Sequence, residues 1–66
     1  MKLGEWLEAE GVEVAQFAAR IDRTPEAVRR YVAGVRIPDK DTMPLIVRET
    51  NHNVTPNDFY QLSVAA

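Results

Sequence analysis

Punctuation constrains this chain more than any other feature. Prolines at 25, 38, 44 and 56 and glycines at 11 and 34 cut its 66 residues into short stretches, because neither residue type sits comfortably inside a regular element. Within the stretches, apolar residues return at intervals of three and four, the period of an amphipathic helix. The expectation is an all-α fold, a small bundle of about five short helices. The best strand candidate, Val32–Val35, is too short and too close to Gly34. A chain this long makes one small domain over residues 1–66, able to fold without outside help but only marginally stable. Without cysteine it has neither a disulfide framework nor a thiolate metal site. It has no leader-like basic start and no apolar run near the roughly 18 residues of a membrane span. A cytoplasmic protein with no membrane partner is expected.

Each stretch carries its own start and stop signals. In "KLGEWLEAEG", Leu3, Trp6 and Leu7 share one face, Trp6 is a core anchor, and Gly11 supplies the left-handed stop. In "EVAQFAARI", Val14, Phe17, Ala18 and Ile21 share a face, and Glu13 favours the positive end of the helix. Ala18 is small where its neighbours are bulky, so another helix is expected to cross closely there. In "TPEAVRRYVAG", Thr24 is the N-cap, Pro25 takes the first helical position, Ala27, Val28 and Tyr31 point inward, and Gly34 ends the helix. Pro38 blocks continuation through "VRIPDKD". A fourth helix is expected over about 42–50, with Met43, Leu45 and Ile46 inward, and Asn53 as the left-handed residue that closes it. In "TPNDFYQL", Thr55 and Asp58 form a capping box and Phe59 and Leu62 dock on the core, while "SVAA" is expected to fray.

Charge decides which partners are conceivable. The net charge is −2 and the pI about 5.2, which taken alone argues against a polyanion. The distribution is uneven. Residues 1–13 hold Lys2 against Glu5, Glu8, Glu10 and Glu13, a local −3. Residues 20–40 hold Arg20, Arg23, Arg29, Arg30, Arg36 and Lys40 against Asp22, Glu26 and Asp39, a local +3. Only the middle of the chain can attract nucleic acid.

That middle contains two short helices, a small residue inside the first, and an N-cap opening the second after a tight turn. This is the layout of a helix-turn-helix, over about 14–34, which projects the outer face of its second helix towards a major groove. "VAQFAARIDRTPEAVRRYVAGVRIP" resembles the helix-turn-helix of Cro- and cI-like phage repressors and related small bacterial regulators. Ala18 falls on that family's small residue, Phe17, Ile21, Val28 and Tyr31 on its apolar positions, and Thr24 on its usual Ser/Thr cap. "AGVRIP" is similar to its Gly-x-Arg-x-Pro exit, and "NVTPNDFY" to the terminal segment of many members; the likeness runs from Leu3 to about Tyr60. Three positions depart from the pattern. Asp22 stands where the turn glycine is usual, Arg23 where an apolar residue is usual, and Val14 where a glutamine is frequent.

The resemblance implies a sequence-specific transcriptional regulator, most simply a Cro-like repressor, of double-stranded DNA. Carried over by position, the base-reading face falls on Pro25, Glu26, Arg29 and Arg30, with Ala33 at its far end. These residues also lie opposite the Ala27–Val28–Tyr31 stripe. An arginine can hold guanine O6 and N7 with two bonds, worth about 1–3 kcal/mol of discrimination. Glu26 either accepts from a cytosine amine or simply favours the helix start. Pro25 offers only apolar contact. Gln16, Arg23, Thr24, Arg36 and Lys40 are the candidates for phosphate contacts, which position without reading sequence.

One such helix covers too few base pairs for strong specificity, so a homodimer on a pseudo-palindromic operator is expected. Its surface is sought in the fourth helix, the following loop and the "NDFYQLSVAA" end. A rival reading keeps the fold and changes the role. An antitoxin-like protein would bind a partner protein, for instance through acidic Glu5, Glu8 and Glu10, and regulate its own operon. An enzyme is not expected, since the single histidine, His52, sits in the "NHN" helix exit and no carboxylate pair or phosphate-binding glycine loop occurs. No cofactor, metal or small-molecule ligand is expected.

Overall fold

The computed structural model describes the backbone of residues 1–64 and the side chains of residues 1–60. It is all-α: α1 (Leu3–Glu10), α2 (Val14–Arg20), α3 (Pro25–Ala33), α4 (Met43–Glu49) and α5 (Pro56–Val64), with no strand among the described residues. The docking expected of Leu62 lies outside the described side chains, as do residues 65–66 altogether.

Each helix ends where its sequence allows. Gly11, at φ 66°, turns α1 off, and the Val12 N–H reaches back to the Leu7 carbonyl at 3.0 Å. At the start of α2 the Gln16 Oε1 accepts the Glu13 N–H at 3.0 Å, while Asp22, at φ 56°, takes the left-handed turn expected of it. Aspartate bears a modest strain in a conformation glycine adopts freely. Thr24 caps α3 by accepting the Ala27 N–H at 3.1 Å, and Gly34, at φ 79°, ends it. The box opening α5 is one-sided: the Asp58 carboxylate accepts both the N–H and the hydroxyl of Thr55, at 2.8 and 3.1 Å.

One local expectation needs correction at α4. Its entry falls where expected, with Thr42 at the N-cap position, and the Asp39 Oδ1 accepts the N–H groups of Thr42 at 2.8 Å and Asp41 at 3.2 Å, so a turn precedes the helix. Its exit does not use Asn53 as the left-handed residue. Asn51 and His52 take that conformation, at φ 53° and 65°, which lets the His52 N–H meet the Val47 carbonyl at 2.8 Å. Asn53 instead donates from its side-chain amide to the Thr50 carbonyl at 3.0 Å.

The core gathers Leu3, Trp6, Leu7, Phe17, Ala18, Ile21, Val28, Tyr31, Ile46 and Val54, with Val12, Val14, Ala27, Leu45 and Phe59 packed partly against it. Trp6 meets Phe17 edge to face, ring centroids 5.7 Å apart, the geometry aromatic quadrupoles favour. Two helices that carry a small residue pack against α3. Ala18 is wholly buried in α2, which makes the main contact with α3. Gly4 lets α1 in so closely that a Cβ there would lie 3.1 Å from Val32 Cγ1. Pro38, Thr42, Met43 and Thr50 are buried as well. Thr50 satisfies its hydroxyl by donating to the Ile46 carbonyl at 2.8 Å and accepting the Val54 N–H at 3.2 Å.

Candidate nucleic-acid interface

The recognition candidate is α3, and its inner face is settled by burial. Val28 and Tyr31 are buried and Ala27 half-buried, which leaves Glu26, Arg29, Arg30 and Ala33 exposed and Pro25 half-buried at the first turn. The sequence-expected base-reading residues therefore share one helix side, and all but the half-buried Pro25 stand in solvent.

Their electrostatic state is informative. Arg29 and Arg30 lie three and four positions after Glu26, the spacing at which helix side chains become neighbours. Among the described residues neither arginine forms an ion pair, with Glu26 or any other carboxylate; the pairs present are Met1–Asp58 and Arg48–Glu49. Arg36 and Lys40, beyond the Gly34 stop, are exposed and likewise without an ion pair among the described residues. The face thus presents cations whose charge no described carboxylate neutralises by direct contact. Ionic attraction to a polyanion is strongest for such charges.

The phosphate candidates differ in how free they are. Gln16 is exposed, but its Oε1 is committed to the start of α2. The Thr24 hydroxyl is exposed and occupied as the α3 cap. Arg36 borders a crevice of about 170 Å³ with Lys2, Tyr31, Ile37 and Phe59, where the end of α3 meets the beginnings of α1 and α5. Lys40 sits on the rim of an open apolar strip formed by Met43, Pro44, Val47 and Pro56, beside Arg48 and His52. Arg23 is the most constrained. Its Nε donates to Thr42 Oγ1 at 2.9 Å, and its Nη1 donates to the carbonyls of Asp22 at 2.9 Å and Ile21 at 3.4 Å.

Thr42 and Asp39 are the residues here that sequence reading passed over. Thr42 holds the Asp39 carboxyl below the usual aspartate range, through its hydroxyl first and its backbone N–H second; the Asp41 N–H and the Arg23 charge add to the effect against a burial cost. The "DKDT" spacing, an aspartate three residues before a threonine at a helix start, was a usable signal for the cap. The donor to the Thr42 hydroxyl, Arg23, 19 residues away, had no local signal.

No protein-family model matches the chain, and comparison with curated proteins and with solved structures gives no match either.

Proposed function

We propose that this chain is a sequence-specific double-stranded-DNA-binding transcriptional regulator of the Cro- and cI-like kind, acting as a repressor from the cytoplasm. In this reading α3 enters the major groove. One observation carries it: a short helix, buried on one side by Val28 and Tyr31, presents on the other two adjacent arginines without described ion pairs. Arg29 and Arg30 bind guanine edges, Glu26 selects or rejects a neighbouring base through its acceptor-only carboxylate, and Pro25 packs against a base methyl. Arg36 and Lys40 hold phosphates. The exposed carboxylates of α1 account for the acidic total without facing DNA.

Selection of bound duplexes from a random pool tests the reading directly. The selected site is expected to be pseudo-palindromic, and Arg29→Ala with Arg30→Ala to lose about 1–3 kcal/mol of discrimination for each guanine contact removed. Helicity and melting should stay close to wild type, because both side chains are exposed. An unchanged sequence preference in this variant would sink the assignment of α3. Arg36→Ala should instead weaken all duplexes alike and lower the salt slope by about 1.

A homodimer on the operator belongs to the same proposal. The apolar strip of Met43, Pro44, Val47 and Pro56 supports a surface at α4 and its following loop, and sedimentation at several concentrations, with and without operator, measures it. The antitoxin-like alternative draws on Glu8 and Glu10, exposed and free of described ion pairs. A chain that shifts no DNA at low salt would favour that alternative.

A further inference from the structure

We propose that Arg23 is a positioning residue for DNA reading and not a phosphate contact: through Thr42 it clamps the turn that aims α3 to the start of α4. The role rests on the DNA-binding reading above; the clamp itself rests on geometry alone.

A guanidinium is a flat, rigid fork, so bonds made from different nitrogens fix its plane as well as its position. Arg23 uses both sides of that fork. Nη1 reaches the carbonyls of Asp22 and Ile21, within the turn between α2 and α3. These carbonyls lie beside the left-handed Asp22, at φ 56°, where the helical hydrogen-bond ladder breaks off. Nε crosses to Thr42 Oγ1 at 2.9 Å. Thr42 has no exposed surface, so its hydroxyl depends on a partner inside the protein.

The chain of contacts continues. Asp39 takes the backbone N–H of Thr42 at 2.8 Å and that of Asp41 at 3.2 Å. Asp39 lies in the same loop as Arg36 and Lys40. One hydrogen-bonded path thus links the turn before the base-reading helix to the loop that carries two phosphate candidates. Moving Arg23 to a phosphate would break its three bonds and take from the buried Thr42 hydroxyl the donor it accepts from, an unfavourable exchange. This explains why an arginine stands at a turn position where an apolar side chain would ordinarily seal the core: its fork replaces burial with a polar tie.

The test uses the full chain, its selected operator and an unrelated duplex, each titrated over a range of salt. Arg23→Met keeps the stem and removes charge and donors. Arg23→Lys keeps the charge and loses the fork. Thr42→Val removes only the hydroxyl. All three are expected to lower the operator-to-unrelated affinity ratio by about tenfold, with the salt slope unchanged. Arg23→Met combined with Thr42→Val should be no worse than either alone, since both cut one path. A salt slope lower by about 1 in Arg23→Met, with the ratio intact, marks a phosphate contact and overturns the proposal. So does an Arg23→Lys protein that reads DNA as wild type does, or a Met variant unchanged in both measures.

A readout without DNA separates the clamp from the functional reading. In nuclear magnetic resonance the Arg23 Nε–H should exchange slowly, unlike that of exposed Arg29, and should lose its protection in Thr42→Val. Fast exchange in wild type overturns the clamp whatever the DNA result. A wild-type chain that prefers no duplex overturns the DNA reading and Arg23's part in it, while a protected Nε–H would still establish the clamp.

Discussion

Ala18 shows how much one methyl group can set. It is 1% exposed in the middle of α2, the helix that packs most against α3, and its carbonyl takes the Arg23 N–H at 2.9 Å. Ala18→Leu is expected to force the two helices apart and destabilise the protein by about 1–3 kcal/mol, read as a lower midpoint in a denaturant titration. Its small size among bulky neighbours was legible without a structure. Gly4 was not, because a glycine in a predicted helix is equally consistent with an exposed turn; only the 3.1 Å approach of Val32 reveals the second close crossing. Arg23 was legible as a departure at the turn. Its use was not, because the residue that receives its Nε lies 19 positions away and no local pattern announces such a pair.

The helices themselves follow local chemistry, and their starts and stops came through best. Thr24, Pro25 and Gly34 bound α3 as their side chains and backbone freedom require. Thr24→Ala should cost about 1 kcal/mol, measured as a fall in thermal or denaturant midpoint. On the proposed DNA-binding function, affinity for the selected duplex should fall with it as the first turn of α3 frays. The α4 exit was harder. Asparagine and histidine both tolerate the left-handed region better than most residues, so "NHN" offers three candidates and no local rule chooses between them. Packing further along the chain makes the choice. Asn51 and His52 turn the backbone so that Val54 can be buried and Thr50 can bond its N–H. The α4 entry falls where expected, but its hydrogen bonds were not legible. Thr42, at the N-cap position, is buried and makes no side-chain cap bond, and the Asp39 carboxylate accepts its N–H instead.

At the scale of the molecule, the radius of gyration is 10.8 Å, close to the roughly 11 Å expected of a compact chain this long. Two carboxylates tie its parts together. Asp39 is held below its ordinary value chiefly by its bonds from Thr42. Burial acts to raise Asp58, but bonds from the Thr55 N–H, the N-terminal ammonium and the Thr55 hydroxyl outweigh it and hold the group low. Both are therefore depressed in the folded state, so the unfolded chain binds protons first as the solution is acidified. The stability they contribute is fully present above the unfolded value of about 4 and is lost as pH falls through the folded values. Melting temperature should accordingly decline below about pH 4. Asp39→Asn and Asp58→Asn should each flatten that decline, which a series of melts against pH would show.

The sequence by itself determined the helical class, the number of helices, most of their boundaries and the segregation of charge. Those properties depend on residues within a few positions of each other, where period, capping and backbone freedom act. Only the tertiary structure decided that Glu26, Arg29 and Arg30 form no ion pairs among the described residues, that Thr42 is buried, and that Arg23 is held by three internal bonds. These are facts about which distant groups meet. Desolvation makes such meetings matter: a buried hydroxyl must find a donor or acceptor somewhere in the fold, and here the donor it found was an arginine.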